Sequence, residues 1–255
     1  MEFGSRRYLD GPVEINIWRA PTDNDRYRKA EWKRAFYDRI YTRAYETTVS
    51  RQDGGAVIKV RMAVLAVTMQ KLMDIHAVWN IKNSGAVHLE MKVEKNSEFP
   101  ELPRFGLRMF LDSALENVTY YGMGPYESYR DKCRASSHGC YQAKVRQLHE
   151  DYIRPQENGS HYDCDYVMLE DRPFGFMAVS EQPFSFQASV YTQEELENKA
   201  HNYELEEAES VILCLDYAQN GIGSGSCGPE LAEQYKLQEE SFTWSISLMP
   251  FQKEA

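Results

Sequence analysis

The segment Ala86–Asn96, AVHLEMKVEKN, decides the fold. Val87, Leu89, Met91 and Val93 alternate with His88, Glu90, Lys92 and Glu94. A period of two sends successive side chains to opposite faces of a strand, so this stretch reads as an antiparallel strand with one buried face. The run before it, MDIHAVWNIKNSG (Met73–Gly85), closes a hairpin with it around Asn83–Gly85. Further back, RAYETTVSRQ (Arg43–Gln52) and VIKVRMAVLAV (Val57–Val67) flank Asp53-Gly54. That pair is a hairpin signal, because a tight turn needs positive φ.

Forward of this pair the same reading continues. Strands are expected over Phe105–Leu111, Asn117–Tyr121, Tyr162–Leu169, Phe174–Ser180, Phe184–Tyr191, Val211–Tyr217 and Phe242–Leu248, separated by turns such as EDRPFG (Glu170–Gly175). Helical signals are few. Asp25–Arg39 can carry one helix, and Thr192 with Glu195 three residues on opens a second with a capping-box pattern. Many closely spaced strands with few helices predict an all-β fold, a large antiparallel β-sandwich with one or two short helices. There is no repeat, low-complexity tract or linker, so residues 6–255 read as a single domain. The opening MEFGS, Met1–Ser5, reads as a vector-derived tag, and the start near Arg6 as that of a piece of a longer polypeptide.

Composition narrows the function classes. The 255 residues carry 39 acidic and 29 basic side chains, a net charge of −10, which disfavours nucleic acid as a partner. No apolar stretch approaches a membrane span. Seventeen Tyr, eleven Phe and four Trp suit pleated sheets and sugar-facing surfaces. Five scattered cysteines (Cys133, Cys140, Cys164, Cys214, Cys227) contain no C-x-x-C pair and read as free thiols, with Cys214 in the core.

Four polar motifs interrupt the strands. WRAPTDND (Trp18–Asp25) crowds Asx side chains behind a proline, which suits turn and helix capping with Arg19 buried in hydrogen bonds better than Ca²⁺ ligation. ENVTYYGMGPYESYRDK (Glu116–Lys132) leaves a strand at Gly124-Pro125 and carries Glu127, Tyr129, Arg130 and Asp131. Glu127 and Asp131 could form a glycosidase acid/base pair, but loop carboxylates beside Arg130 are more simply ion-paired. YIRPQENGSHYDCDY (Tyr152–Tyr166) offers Arg154, Gln156, Glu157, Asn158 and His161 either to sugar hydroxyls or to loop backbone. NGIGSGSCGPE (Asn220–Glu230) holds four glycines after an apolar run, yet no βαβ unit surrounds it, so dinucleotide binding is excluded.

These four motifs, in this order and at these distances, resemble the C-terminal domain of large bacterial β-galactosidases, in the glycoside hydrolase group that also holds β-glucuronidases. The resemblance runs from about Trp18 to Leu248. It implies a galactose-mutarotase-like sandwich. It also implies that the catalytic glutamates lie on a (β/α)₈ barrel elsewhere in the polypeptide, so that no catalytic residue, metal or cofactor belongs to this chain; Mg²⁺ and Na⁺ would be held through other domains. The implied partners are that barrel, on the same polypeptide or a separate large subunit, and a galactoside, without nucleic acid or membrane. The implied compartment is the cytoplasm, with the periplasm as the alternative. The glycine-rich loop would wall the galactose pocket through Ser226, Cys227 and Gly228, with Cys227 where some relatives carry a stacking tryptophan. The competing reading is a tight corner with Cys227 buried. Gly124 would hinge a mobile loop at the site mouth bearing Glu127, Tyr129, Arg130 and Asp131. A separate sugar-binding module or small subunit is the rival function, and an autonomous aldose mutarotase a more remote one.

Overall fold

The computed structural model describes residues 2–3, 6–67 and 71–253. The Met1–Ser5 segment expected to be a tag lies largely outside these, and Val67 is the last described residue before the next strand. Fourteen strands are present among the described residues. They are β1 (Glu2–Phe3), β2 (Arg6–Arg7), β3 (Glu14–Asn16), β4 (Ile40–Gln52), β5 (Gly55–Ala66), β6 (Lys71–Lys82) and β7 (Val87–Lys95). Then follow β8 (Arg104–Asp112), β9 (Asn117–Gly124), β10 (Ser137–Lys144), β11 (Ser160–Asp171), β12 (Phe174–Ser189), β13 (Ser210–Gln219) and β14 (Ser241–Gln252). Two short helices, α1 (Arg28–Arg34) and α2 (Gln193–Asn198), complete the element list apart from 3₁₀ turns.

The expected hairpins form where the turn residues dictate. Gln52 faces Gly55 across β4 and β5, and Gly54 takes a φ of 90° that a side chain would oppose. On β7, Leu89, Met91 and Val93 are buried while Glu90, Lys92 and Glu94 are exposed, as the alternation requires. Thr192 Oγ1 accepts the Glu195 amide at 3.0 Å and caps α2. Thr192→Ala is expected to cost about 1 kcal/mol, read as a lower urea midpoint with an unchanged slope.

All pairings in the main sheet are antiparallel, in the order β10-β9-β11-β12-β14-β7-β6-β5-β4. A branch, β12-β13-β8-β3, forms the second layer. The layers face one another through Phe242 of β14, whose ring lies 4.9 Å from Phe105 of β8 and 4.4 Å from Tyr217 of β13. One continuous apolar core fills the space between them.

The branch point corrects the sequence reading. Phe174–Ser180 and Phe184–Tyr191, expected as two strands, are one strand, β12, that changes partner. Phe174–Val179 pairs with β14 and Ser185–Ser189 with β13. Between Val179 and Phe184 the facing strand β11 supplies only Asp165, so Ser180–Pro183 bulges outward. A bulge bends its strand, and Pro183, lacking an N–H, fits there without breaking a ladder. β10 carried no strand signal because SHGCYQAK is polar, contains a glycine and forms the sheet edge.

Candidate functional site

The glycine-rich loop and the Gly124–Lys132 segment meet at one carboxylate. Asp131 Oδ1 accepts the Ile222 amide at 2.9 Å and Oδ2 accepts the Gly223 amide at 2.7 Å. Successive backbone N–H groups of this kind make an anion nest, and here the anion is internal. Glycine is required for the approach: a Cβ on Gly221 would lie 2.5 Å from Asp131 Cγ. The loop therefore receives a protein carboxylate where a phosphate-binding loop would receive phosphate.

WRAPTDND supports the same loop from the other side. Asn24 Nδ2 donates to the Ile222 carbonyl at 2.5 Å. Arg19, fully buried, donates to Asp25 from Nε at 3.2 Å and Nη2 at 2.7 Å, and to the Asn220 carbonyl at 2.7 Å. Asp25 Oδ2 in turn accepts the Thr22 amide at 2.9 Å. The capping reading of this motif holds, and its guanidinium also stacks over Trp32 at 5.5 Å.

Beneath the loop lies a second buried guanidinium that sequence reading missed. Arg104, at the start of β8, forks onto Asp216 at 2.9 and 2.5 Å and reaches Glu157 at 3.3 Å. Gln219 bridges Asp216 and Ser160 at 3.1 and 3.0 Å. Burial pushes the Glu157 carboxyl up to about 7, against the pull of Arg104 and Arg19. His161 is pressed down to about 4, chiefly by burial, and its ring lies 4.4 Å from Tyr120 and 5.1 Å from Phe186. Glu157, Asn158 and His161 are thus internal, leaving Arg154 exposed and Gln156 Oε1 accepting the Asp23 amide at 3.1 Å.

The remaining site residues fall as follows. Glu127 is buried and ion-paired as expected, its cation being Lys132, and it also accepts from Tyr152 and from the Gly159 amide, the last at 2.9 Å. Neither Glu127 nor Asp131 stands free for acid/base work: one is ion-paired, the other fills the nest. Tyr129 is buried and exchanges backbone hydrogen bonds of 2.9 Å with Lys132, while Ser128 donates its amide to Ser160 at 2.7 Å. Gly124 pairs with Ser137 at the end of β9, and a Cβ there would strike Tyr141 at 2.7 Å. Arg130 is half-buried. Cys227 and Gly228 are exposed and Ser226 half-exposed, so the alternative of a corner with Cys227 buried is not what forms.

A cavity of 260 Å³ opens beside the loop, lined by Asn24, Trp32, Glu101, Gly221, Gly225 and Gly228 among others. No group of three or more His, Cys, Asp or Glu fit to hold a metal ion occurs among the described residues. Among the described residues no helix is long and apolar enough to cross a membrane.

All five thiols are unpaired. Burial pushes Cys214 up to about 12 and raises Cys164 further still. Iodoacetamide is expected to label Cys140 and Cys227 first, with Cys164 and Cys214 slower by about 10²-fold or more until urea unfolds the chain. Mass spectrometry of a labelling time course checks this; early modification of Cys214 would contradict the packed β8–β13 layer.

The family described as beta galactosidase small chain matches residues 1–248. The beta-galactosidase of Actinobacillus pleuropneumoniae is 43% identical over 249 residues, 98% of this chain and 24% of that protein. That of Staphylococcus xylosus is 35% identical over 91% of this chain and 23% of its own length. The chain thus spans about a quarter of the curated relatives it matches. The crystal structure of galactose 1-epimerase from Lactobacillus acidophilus NCFM aligns over 82% of this chain and 67% of its own with a TM-score of 0.47 and 9% identity, too distant a likeness to bear on function.

Proposed function

The chain belongs to the beta-galactosidase small-chain family, and on that premise we propose that it supplies part of the active-site wall for hydrolysis of terminal β-D-galactosides. The reaction is a retaining double displacement, with its two glutamates carried on a barrel domain outside this chain. The observation that carries this reading is the alignment of nearly the whole chain with one quarter of a beta-galactosidase at 43% identity. The partner is the remaining three quarters, on one polypeptide or as a large subunit.

The residues of this chain act by position. Asp131 and Asn24 hold the Asn220–Gly228 loop in one conformation. Ser226, Cys227 and Gly228 then face outward from a fixed base. A wall that is ordered before substrate arrives spends none of the binding energy on its own ordering. With a thiol at position 227 this loop offers the sugar backbone and sulfur contact and no aromatic platform.

The test is a chimera. The matching quarter of the Actinobacillus pleuropneumoniae relative is replaced by this chain, and nitrophenyl β-galactoside turnover is measured. Turnover is expected in the chimera and absent both from the truncated relative and from this chain alone. Turnover by this chain alone, or a folded chimera without any, would sink the proposal.

A further inference from the structure

The partner change in β12 leaves a gap in the sheet, and that gap is a cavity of 280 Å³. It sits where β13 and β14 part company, beside the Ser180–Pro183 bulge. Its floor is rigid: Phe184, Ser185 and Gln219 are buried strand residues of β12 and β13. Its walls are Tyr162 and Asp163 from the β11 bulge, Tyr217 from β13, Arg130, and Glu239 from the approach to β14. It shares no lining residue with the cavity beside the glycine-rich loop.

Three charged groups line this small space, and none of them has an ion-pair partner within 4 Å among the described residues. Arg130 makes one long contact, Nη1 to the Lys236 carbonyl at 3.4 Å, and the rest of its donor fork is uncommitted. Asp163 is held at a φ of 55°, unusual for any residue but glycine, Asn or Asp, with its carbonyl accepting from or facing His138 Nε2 at 3.0 Å. One face of Tyr217 is taken by Phe242, stacked at 4.4 Å and 6°. Burial raises both phenols; Asp163 adds to this at Tyr162 and Glu239 at Tyr217, while Arg130 opposes it at both. The guanidinium therefore lies within electrostatic reach of both phenols.

This set of groups selects a ligand class. Two carboxylates against one guanidinium give the cavity a net charge of −1, which disfavours phosphate and uronate. Planar charged groups at the rim bond hydroxyls in pairs, and tyrosine rings offer electron-rich faces to C–H groups. The volume lies just below the usual range for small-molecule sites and suits one ring, not a chain of them. We propose that the β12 branch-point cavity, built by Arg130, Tyr162, Asp163, Tyr217 and Glu239, is a binding site for a single neutral pyranose.

The test is an amide NMR titration of this chain with methyl β-D-galactopyranoside, D-glucose, D-galacturonate and glycerol. Saturable shifts are expected at residues 130, 162–163, 217–219 and 239 for one or both neutral sugars, with a dissociation constant on the order of millimolar. Galacturonate is expected to bind several-fold more weakly, and Glu239→Gln to narrow that difference. Arg130→Ala should weaken neutral-sugar binding tenfold or more with an unchanged urea midpoint, and Cys140→Ser, at an exposed thiol that does not line the cavity, should leave it unchanged. The inference is overturned if the shifts do not saturate, if glycerol produces the same shifts, or if they centre on residues 220–228. These outcomes are independent of turnover in the chimera, so this site and the proposed galactosidase role fail or stand separately.

Discussion

Replacing Arg104 with methionine is expected to destabilise the chain by about 3–5 kcal/mol, because it strands Asp216 and Glu157 in the interior without their cation. All three side chains are fully buried, so no water can substitute for the guanidinium. Urea unfolding at pH 7 reads the loss as a lower midpoint. Arg104→Lys should recover little of it, since a point charge cannot fork onto Asp216 while reaching Glu157. An equal loss in an Arg6→Met variant, whose ion pairs with Asp112 and Asp171 are part-exposed, would show that burial is not what sets the magnitude.

The same cluster gives a pH dependence whose sign follows from Glu157. Its folded value of about 7 lies above the ordinary 4.5, chiefly through burial. The folded state then holds more protons than the unfolded state between those values. The stability contribution of Glu157 is complete below pH 4.5 and declines as pH rises to about 7. Glu157→Gln should flatten the stability profile across that window. A profile unchanged by the substitution would place the ionisation of Glu157 elsewhere.

Gly221→Ala is expected to lower turnover sharply through the position of the glycine-rich loop. The new Cβ would collide with Asp131, whose carboxylate is fixed by two backbone amides and cannot move without releasing them. Displacing a pocket wall by about 1 Å can cost on the order of 10² in rate, so kcat/KM for nitrophenyl galactoside in the chimera should fall by about that factor. Gly11→Ala is the control. A Cβ there would meet only Phe110 Cδ2, in ordinary contact at 3.8 Å and away from the loop, and turnover should change little. In an Asp131→Ala background the added methyl has room, so the two substitutions should be strongly non-additive. Similar losses from both alanine variants would mean that Asp131 does not set the loop position.

Much of the fold was legible because its signal is local. Alternation in Val87–Glu94, glycines at 54 and 85, and the Thr192 cap each act within a few residues, and each formed where expected. β12 and β10 were misread because partner exchange and edge pairing depend on strands distant in sequence. At the site, the buried role of Arg19 was visible from its Asx-rich neighbours. Glu127 is ion-paired as its surroundings suggested, through Lys132 of the same motif, while the contacts with Tyr152 and Gly159 come from another loop and left no local signal.

The sequence alone determined the all-β architecture, since period-two patterning and turn chemistry are properties of neighbours along the chain. The register of its four polar motifs also pointed to the family, and alignment with known relatives bears that out. Tertiary structure alone decided which charges meet. Arg104, Glu157 and Asp216 are separated by at least fifty residues, yet form one buried cluster. Asp131 lies ninety-one residues from the amide of Ile222 that it receives. The physical reason is that a buried charge is tolerated only beside its partner. Which partner that is depends on how the two layers pack, and no local pattern records it.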